Sequence, residues 1–284
     1  MIMRTEQEMV DLILEFARQD ERIRVVAMNG SRANPNAPRD AFQDYDIVYV
    51  VTEMKGYLVD DAWLDYFGRR VIMQKPDAME LFPPEGRTRF AYLMQFEDGN
   101  RIDLTLLLLD ELEHYLKEDC IIRILLDKDR RVPALPKSSD SDYWIKRPTP
   151  GMFDDCCNEF WWLSTYVAKG LARNELPYAI AHLDLMRKQL MTMLSWQVGL
   201  EKGFTFSIGK QFKYLQQHVS DAAWQQLCAT WNVGSPEACE EALVGLLTLF
   251  RKVSKDVAAR FGTNYPDYDA KVSDYLSGLG INTH

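Results

Sequence analysis

Two aspartates one residue apart, Asp44 and Asp46, open the apolar run Ile47-Val48-Tyr49-Val50-Val51. In a strand, residues i and i+2 point to the same side. Two carboxylates held side by side repel each other unless a cation neutralises them. The pair therefore suits Mg²⁺, which takes oxygen ligands and keeps positions for substrate phosphates. It also fits a polar turn that simply leads into a strand. A third acid, Asp103, interrupts the apolar segment Ile102-Asp103-Leu104-Thr105-Leu106. Burying it unpaired is costly. Either it shares a charged site as a metal ligand or proton acceptor, or it alternates out to solvent from an edge strand. Gly30-Ser31 follows a short β-branched run, Ile23 to Met28. Glycine there permits a tight turn and close approach of a phosphate to backbone N–H groups, although Gly-Ser turns are common.

The elements that must carry these residues are legible in outline. Thr5-Glu6-Gln7-Glu8 has capping-box spacing, and Met9, Leu12, Ile13 and Phe16 recur at helical intervals, which predicts a helix over 5–19. Strands are expected at 23–28, 47–52, 70–74, 90–96 and 102–108, the last two joined by the hairpin signal Asp98-Gly99-Asn100. Residues 60–68 and 110–117 read as helices. The proline-punctuated stretch from Val132 to Pro150 marks a domain boundary near 145. Beyond it the pattern is helical, at 150–172, 175–201, 210–218, 220–230, 236–261 and 267–278. The fold class is α+β: residues 1–145 form a mixed sheet with helices, and 146–284 form an all-helical domain.

Composition narrows the function. The chain has 284 residues, about two domains at roughly 150 residues each. Lys plus Arg total 33 against 42 Asp plus Glu, a net charge of −9. That balance argues against a nucleic-acid-binding protein and favours a cationic partner. Cys120, Cys156, Cys157, Cys228 and Cys239 make an odd set without a CxxC, as expected of reduced thiols. The four histidines contain no HxxxH pair, so a structural zinc site is not expected. The sequence has no run of 18 apolar residues and no signal-peptide pattern, which predicts a cytoplasmic protein without a membrane partner. No obligate protein partner is evident either.

Gly30-Ser31, Asp44-x-Asp46 and Asp103, in that order, resemble the nucleotidyltransferase core of the DNA polymerase β superfamily, with a longer loop between Ser31 and Asp44 than in compact members. The resemblance narrows to the aminoglycoside 6-adenylyltransferases, the streptomycin adenylyltransferases of bacteria. It is carried by Gly30-Ser31-Arg32-Ala33-Asn34, Phe42-Gln43-Asp44-Tyr45-Asp46, Met73-Gln74-Lys75-Pro76, Met79-Glu80-Leu81-Phe82-Pro83-Pro84 and Ile102-Asp103-Leu104-Thr105-Leu106. In the second half Phe153-Asp154-Asp155-Cys156-Cys157-Asn158-Glu159-Phe160-Trp161 and Tyr265-Pro266-Asp267-Tyr268-Asp269 are similar to the same family.

The resemblance implies a polymerase β-like catalytic domain and transfer of AMP from Mg·ATP to a hydroxyl of a cationic aminoglycoside. Pyrophosphate is released and the antibiotic is inactivated. Asp44 and Asp46 would bind Mg²⁺. Asp103 would complete that site or take the proton of the acceptor hydroxyl, the second role being preferred. Gly30 and Ser31 would contact the β and γ phosphates. Arg32 would stabilise phosphate charge, or be an ordinary surface arginine. Lys210 and Lys213, at the start of the expected helix 210–218, would bind the triphosphate or stand solvated. Asp155, Glu159, Trp162 and Tyr166 share one face of helix 150–172. Carboxylates beside rings suit guanidinium groups of the acceptor. For Trp161, Trp162 and Tyr166 a core position is the stronger expectation, and Asp155 could instead cap the helix. Asp184 is a weaker acidic candidate, and His182, Cys156 and Cys157 read as structural. The alternatives are a nucleotidyltransferase with another small-molecule or protein acceptor, and a nucleotide or antibiotic sensor without catalysis.

Overall fold

A computed structural model describes residues 3–84, 88–281 and 283. The chain divides into two compact units, residues 1–142 and 143–284.

The first unit opens with α1 (Glu6–Gln19), started by the expected capping box: the Glu8 amide donates to Thr5 Oγ1, and the Thr5 amide donates to Glu8 Oε2 at 2.7 Å. Strand β1 (Ile23–Met28) leads into the single turn α2 (Gly30–Ala33), and β2 (Tyr45–Val51) follows. Next come β3 (Arg70–Gln74), β4 (Arg89–Phe96), β5 (Arg101–Leu108), the short α3 (Leu112–Tyr115) and β6 (Arg123–Asp127). The six strands form one mixed sheet in the order β3-β4-β5-β2-β1-β6, in which only β2 and β5 run parallel.

The central strands read as nearly continuous apolar runs because both sheet faces are covered. Ile47, Tyr49, Val51, Ile102, Leu104 and Leu106 pack with Met9 and Ile13 of α1. Val48, Val50 and Leu107 face the other way, with Leu112, Tyr115 and Ile122. By strand alternation Asp46 and Asp103 belong to this second face, at the ends where β2 and β5 begin.

The second unit comprises α4 (Pro150–Ala172), α5 (Leu176–Lys202), α6 (Asp221–Ala229), α7 (Pro236–Phe261) and α8 (Tyr268–Gly278). Thr149 caps α4 by accepting from the Met152 amide. The acids of α4 are thus not needed as caps. In the core, Phe160 stacks on Phe250 with ring centroids 3.7 Å apart, and Trp161 meets both edge-on. Among the described residues no helix is long and apolar enough to cross a membrane.

Four local expectations differ from the structure. Strand β6 was not expected, although Ile121-Ile122-Arg123-Ile124-Leu125-Leu126 carries a strand signal; it pairs antiparallel with β1 at the sheet edge. Residues 62–67 form a 3-10 helix in place of an α-helix, and only 112–115 of the segment 110–117 are α-helical. No α-helix forms over 210–218. Gly209, Gln211 and Phe212 have φ of 74°, 55° and 60°, so the backbone makes isolated 3-10 turns at 210–212 and 215–217. A left-handed residue ends helical propagation, and two in succession prevent it.

Candidate functional site

The parallel pairing of β2 with β5 brings the acidic residues together. Asp46 is in direct register with Asp103. Asp44 lies just before β2, and one residue, Tyr45, separates it from Asp46, so the two carboxylates fall on the same face. All three carboxylates are partly exposed. Asp46 and Asp103 open onto a cavity of about 370 Å³ that is also lined by Asn29, Arg89, Thr105, Tyr115, Glu118 and Asp119. Asp103 therefore does not simply alternate out to solvent; it shares a charged site.

The Gly30 turn completes the floor. The Asn29 amide donates to the Asp46 carbonyl at 2.9 Å, which ties the turn to the start of β2. Gly30 has φ of 65°, and a Cβ built there would lie 1.9 Å from Asp46 Oδ2 and 2.6 Å from its Cγ. Only glycine lets the turn and this carboxylate approach so closely. Ser31 is the next residue of α2 and is partly buried. Asn29 is itself anchored: its Nδ2 donates to the Ile121 carbonyl at 2.9 Å, and the buried Tyr115 hydroxyl donates to its Oδ1. Burial pushes the Tyr115 phenol up, so it remains a neutral donor.

A cation sits among the carboxylates that sequence reasoning did not single out. Arg101 grips Asp103 with both arms of its fork, Nε to Oδ1 at 2.7 Å and Nη2 to Oδ2 at 2.9 Å. Its Nε is also 3.7 Å from Asp44 Oδ2. The signal was available, since Arg101 stands two residues before Asp103 and shares its strand face. Burial, with the nearby Asp103 charge, pushes the Asp44 carboxyl up, while Arg101 and Arg32 pull it down. Contact with Asp103 raises the Arg101 pKa further and keeps the guanidinium charged.

The donor set fits a hard divalent cation. It offers carboxylate oxygens converging from two adjacent strands, against a glycine turn with no side chain to block a ligand.

Arg32 is more buried than the surface arginine that one expectation allowed. It is only 7% exposed, so it is not a surface arginine, and its fork is already used within the protein. Nε and Nη2 donate to the Gln43 carbonyl at 3.2 and 2.9 Å, Nη1 reaches Glu6 at 3.1 Å, and the guanidinium lies 3.9 Å from the Tyr45 ring centroid. These contacts make Arg32 a strut between the glycine turn and the chain entering Asp44.

The remaining expected residues lie in the second unit. Lys210 and Lys213 are exposed on the irregular turn after Gly209, where a Cβ would lie 2.6 Å from Lys213 Cγ. They do not stand on a helix start, because no α-helix forms there. Asp155, Glu159 and Trp162 share the exposed face of α4. Trp162 is 56% exposed and donates through Nε1 to the Tyr166 hydroxyl at 2.9 Å, whereas Trp161 is buried. The core expectation thus holds for Trp161 and not for Trp162: it is position on the helix circumference, and not residue type, that separates these neighbours. Tyr166 also packs against His182 of α5, and His182 contacts Tyr178. Asp184 pairs with the buried Arg187. Cys156 and Cys157 are buried, and burial alone pushes the Cys156 thiol up to about 12, so it is no nucleophile at neutral pH. All five cysteines are free thiols.

The model of the streptomycin adenylyltransferase family matches residues 3–279. A curated aminoglycoside 6-adenylyltransferase of Bacillus subtilis (strain 168) is 47% identical over 279 residues, covering 98% of each chain. One of Campylobacter jejuni is 47% identical over 275 residues, covering 96% of this chain and 95% of that protein. The crystal structure of an aminoglycoside 6-adenyltransferase from Bacillus subtilis aligns over 98% of this chain and 99% of that one, at 44% identity and a TM-score of 0.49. A family match across nearly all its residues, with relatives close to half identical, means that this chain belongs to the streptomycin adenylyltransferase family.

Proposed function

We propose that the protein transfers the adenylyl group of ATP to the 6-hydroxyl of streptomycin or a closely related aminoglycoside and so inactivates the antibiotic. The observation that carries the reading is the Asp46–Asp103 register on parallel strands, set against the Gly30 turn, in a member of this family. In the reaction the acceptor oxygen forms a bond to the α-phosphorus, the bond from that phosphorus to the β-phosphate oxygen breaks, and pyrophosphate leaves.

Asp44, Asp46 and Asp103 are the residues that would hold Mg²⁺. Bound there, Mg²⁺ would neutralise phosphate charge and orient the triphosphate. The Gly30-Ser31 turn brings backbone N–H groups near the β and γ phosphates. Asp103 takes the proton of the acceptor hydroxyl, and the Arg101 fork holds its carboxylate in one orientation. Lys210 and Lys213 bind the triphosphate. Asp155, Glu159 and Trp162 receive the cationic acceptor: the carboxylates pair with its guanidinium groups and the indole takes a cation–π contact.

The test is product analysis after incubation with ATP, Mg²⁺ and streptomycin. The antibiotic should gain one adenylyl group, with the phosphodiester at the 6-hydroxyl by NMR. An unmodified antibiotic would reject the reading, and modification elsewhere would reject the assigned position. The acceptor face has its own test. Glu159→Gln should raise the KM for streptomycin roughly tenfold, about 1.4 kcal/mol, with kcat and the KM for ATP nearly unchanged. An unaltered KM would remove Glu159 from the acceptor site.

A further inference from the structure

The contacts of Arg101 are those of an ion, made by a side chain. Both oxygens of Asp103 are engaged by its fork, at 2.7 and 2.9 Å, and Asp44 lies 3.7 Å from its Nε. Asp46 stands beside Asp103 in register. Three carboxylates on one partly buried patch repel one another strongly when no cation is near. We propose that Arg101 is the resident counter-ion of this site. It fixes the Asp103 carboxylate permanently and shares Asp44 only until a divalent ion arrives with the nucleotide. This rests on the reading that Asp44, Asp46 and Asp103 hold that ion.

The two contacts differ in kind. The pair with Asp103 is bidentate, so it defines a plane and a direction for the carboxylate. The approach to Asp44 is a single long contact, a charge interaction without hydrogen-bond geometry. Arg101 and Asp103 are on one strand two residues apart, so their pairing asks for no backbone movement. Giving up Asp44 costs little, whereas giving up Asp103 breaks two charge-assisted hydrogen bonds. Arg101 is therefore a positioning residue for Asp103 and at the same time an electrostatic opponent of a free divalent cation.

Those roles have opposite consequences, which separates this account from a merely structural one. Removing the guanidinium should make the three carboxylates a better cation site while making the enzyme slower. Arg101→Ala should bind Mn²⁺ about tenfold more tightly than wild type in the absence of nucleotide, because a positive charge a few ångströms from the ion is gone. Its kcat should fall about 10²-fold, because Asp103 loses its aim, while the KM for the acceptor stays within about twofold. Arg101→Lys keeps the charge and loses the fork. It should bind Mn²⁺ like wild type and still lose most of the kcat.

The experiment is a Mn²⁺ titration of the full chain, followed by electron paramagnetic resonance, for wild type, R101A and R101K. Each protein is titrated with and without α,β-methylene-ATP, and steady-state kinetics are measured on the same samples. Tighter nucleotide-free Mn²⁺ binding by R101A together with lower kcat in both variants supports the proposal. Equal or weaker Mn²⁺ binding by R101A overturns the counter-ion role, and wild-type kcat in R101K overturns the positioning role. If R101A does not fold, R101K still decides the second point, and R101Q takes its place for the first. Wild type that binds no Mn²⁺ even with the nucleotide analogue would overturn the metal reading itself, and the proposal with it.

Discussion

Asp46→Asn should reduce adenylyl transfer by roughly 10³-fold or more and leave the fold intact. The substitution keeps the shape of the side chain and removes its charge. Asp46 occupies the start of β2, is partly buried, and has its carboxylate packed against the Gly30 turn. In such surroundings a carboxylate interacts with a divalent ion more strongly than it would in water. A loss of ~4 kcal/mol in transition-state stabilisation corresponds to that thousandfold. Stability should move the other way or barely at all, because one of three neighbouring negative charges is gone; a change within about 1 kcal/mol is expected. Steady-state kinetics paired with urea unfolding makes the comparison. Near-normal turnover in D46N would remove the metal role from this residue.

Gly30→Ala should be nearly as damaging to activity, through geometry instead of charge. The new methyl group would lie 1.9 Å from Asp46 Oδ2, so the carboxylate has to move by more than an ångström or the turn has to open. Displacement on that scale costs about 10²-fold in rate. The φ of 65° adds a backbone penalty of roughly 1–2 kcal/mol for alanine. That penalty should appear as a drop of a few degrees in Tm. The kinetic loss should persist at temperatures where the variant is fully folded. Wild-type kcat in a folded G30A protein would mean that the close approach of turn and carboxylate has no catalytic purpose.

The parts of this site that a sequence can reveal are those set by strand periodicity. Asp44 and Asp46 stand out because alternation places them on one side of a strand whose later residues are all apolar. Asp103 stands out because a charge inside an apolar strand needs a reason. The register that puts Asp103 beside Asp46 belongs to the β2–β5 pairing and is a property of the sheet, so no local pattern announces it. Arg32 illustrates the same limit. It directly follows Gly30-Ser31, which invites a phosphate role, but its partners Glu6 and Gln43 lie 26 and 11 residues away. The spacing of Lys210 and Lys213 allows a helix. Left-handed Gln211 and Phe212 overrule it, and neither residue type advertises that conformation. On α4 the periodicity was sufficient to put Asp155, Glu159 and Trp162 on one face, and the exposure of that face followed from where the core lies.

The net charge of −9 acquires a structural address in part. Asp44, Asp46 and Asp103 cluster on one end of the sheet, and Asp155 and Glu159 stand exposed on α4. Charge alone pointed to a cationic partner; the proposed acceptor face identifies where such a partner would be met.

The most direct test of the account is pyrophosphate release measured with ATP and Mg²⁺ against a panel of aminoglycosides, with an acceptor-free control. Release that depends on streptomycin and vanishes in D46N is the predicted result. No release above the control with any aminoglycoside, from folded wild-type protein, would contradict it.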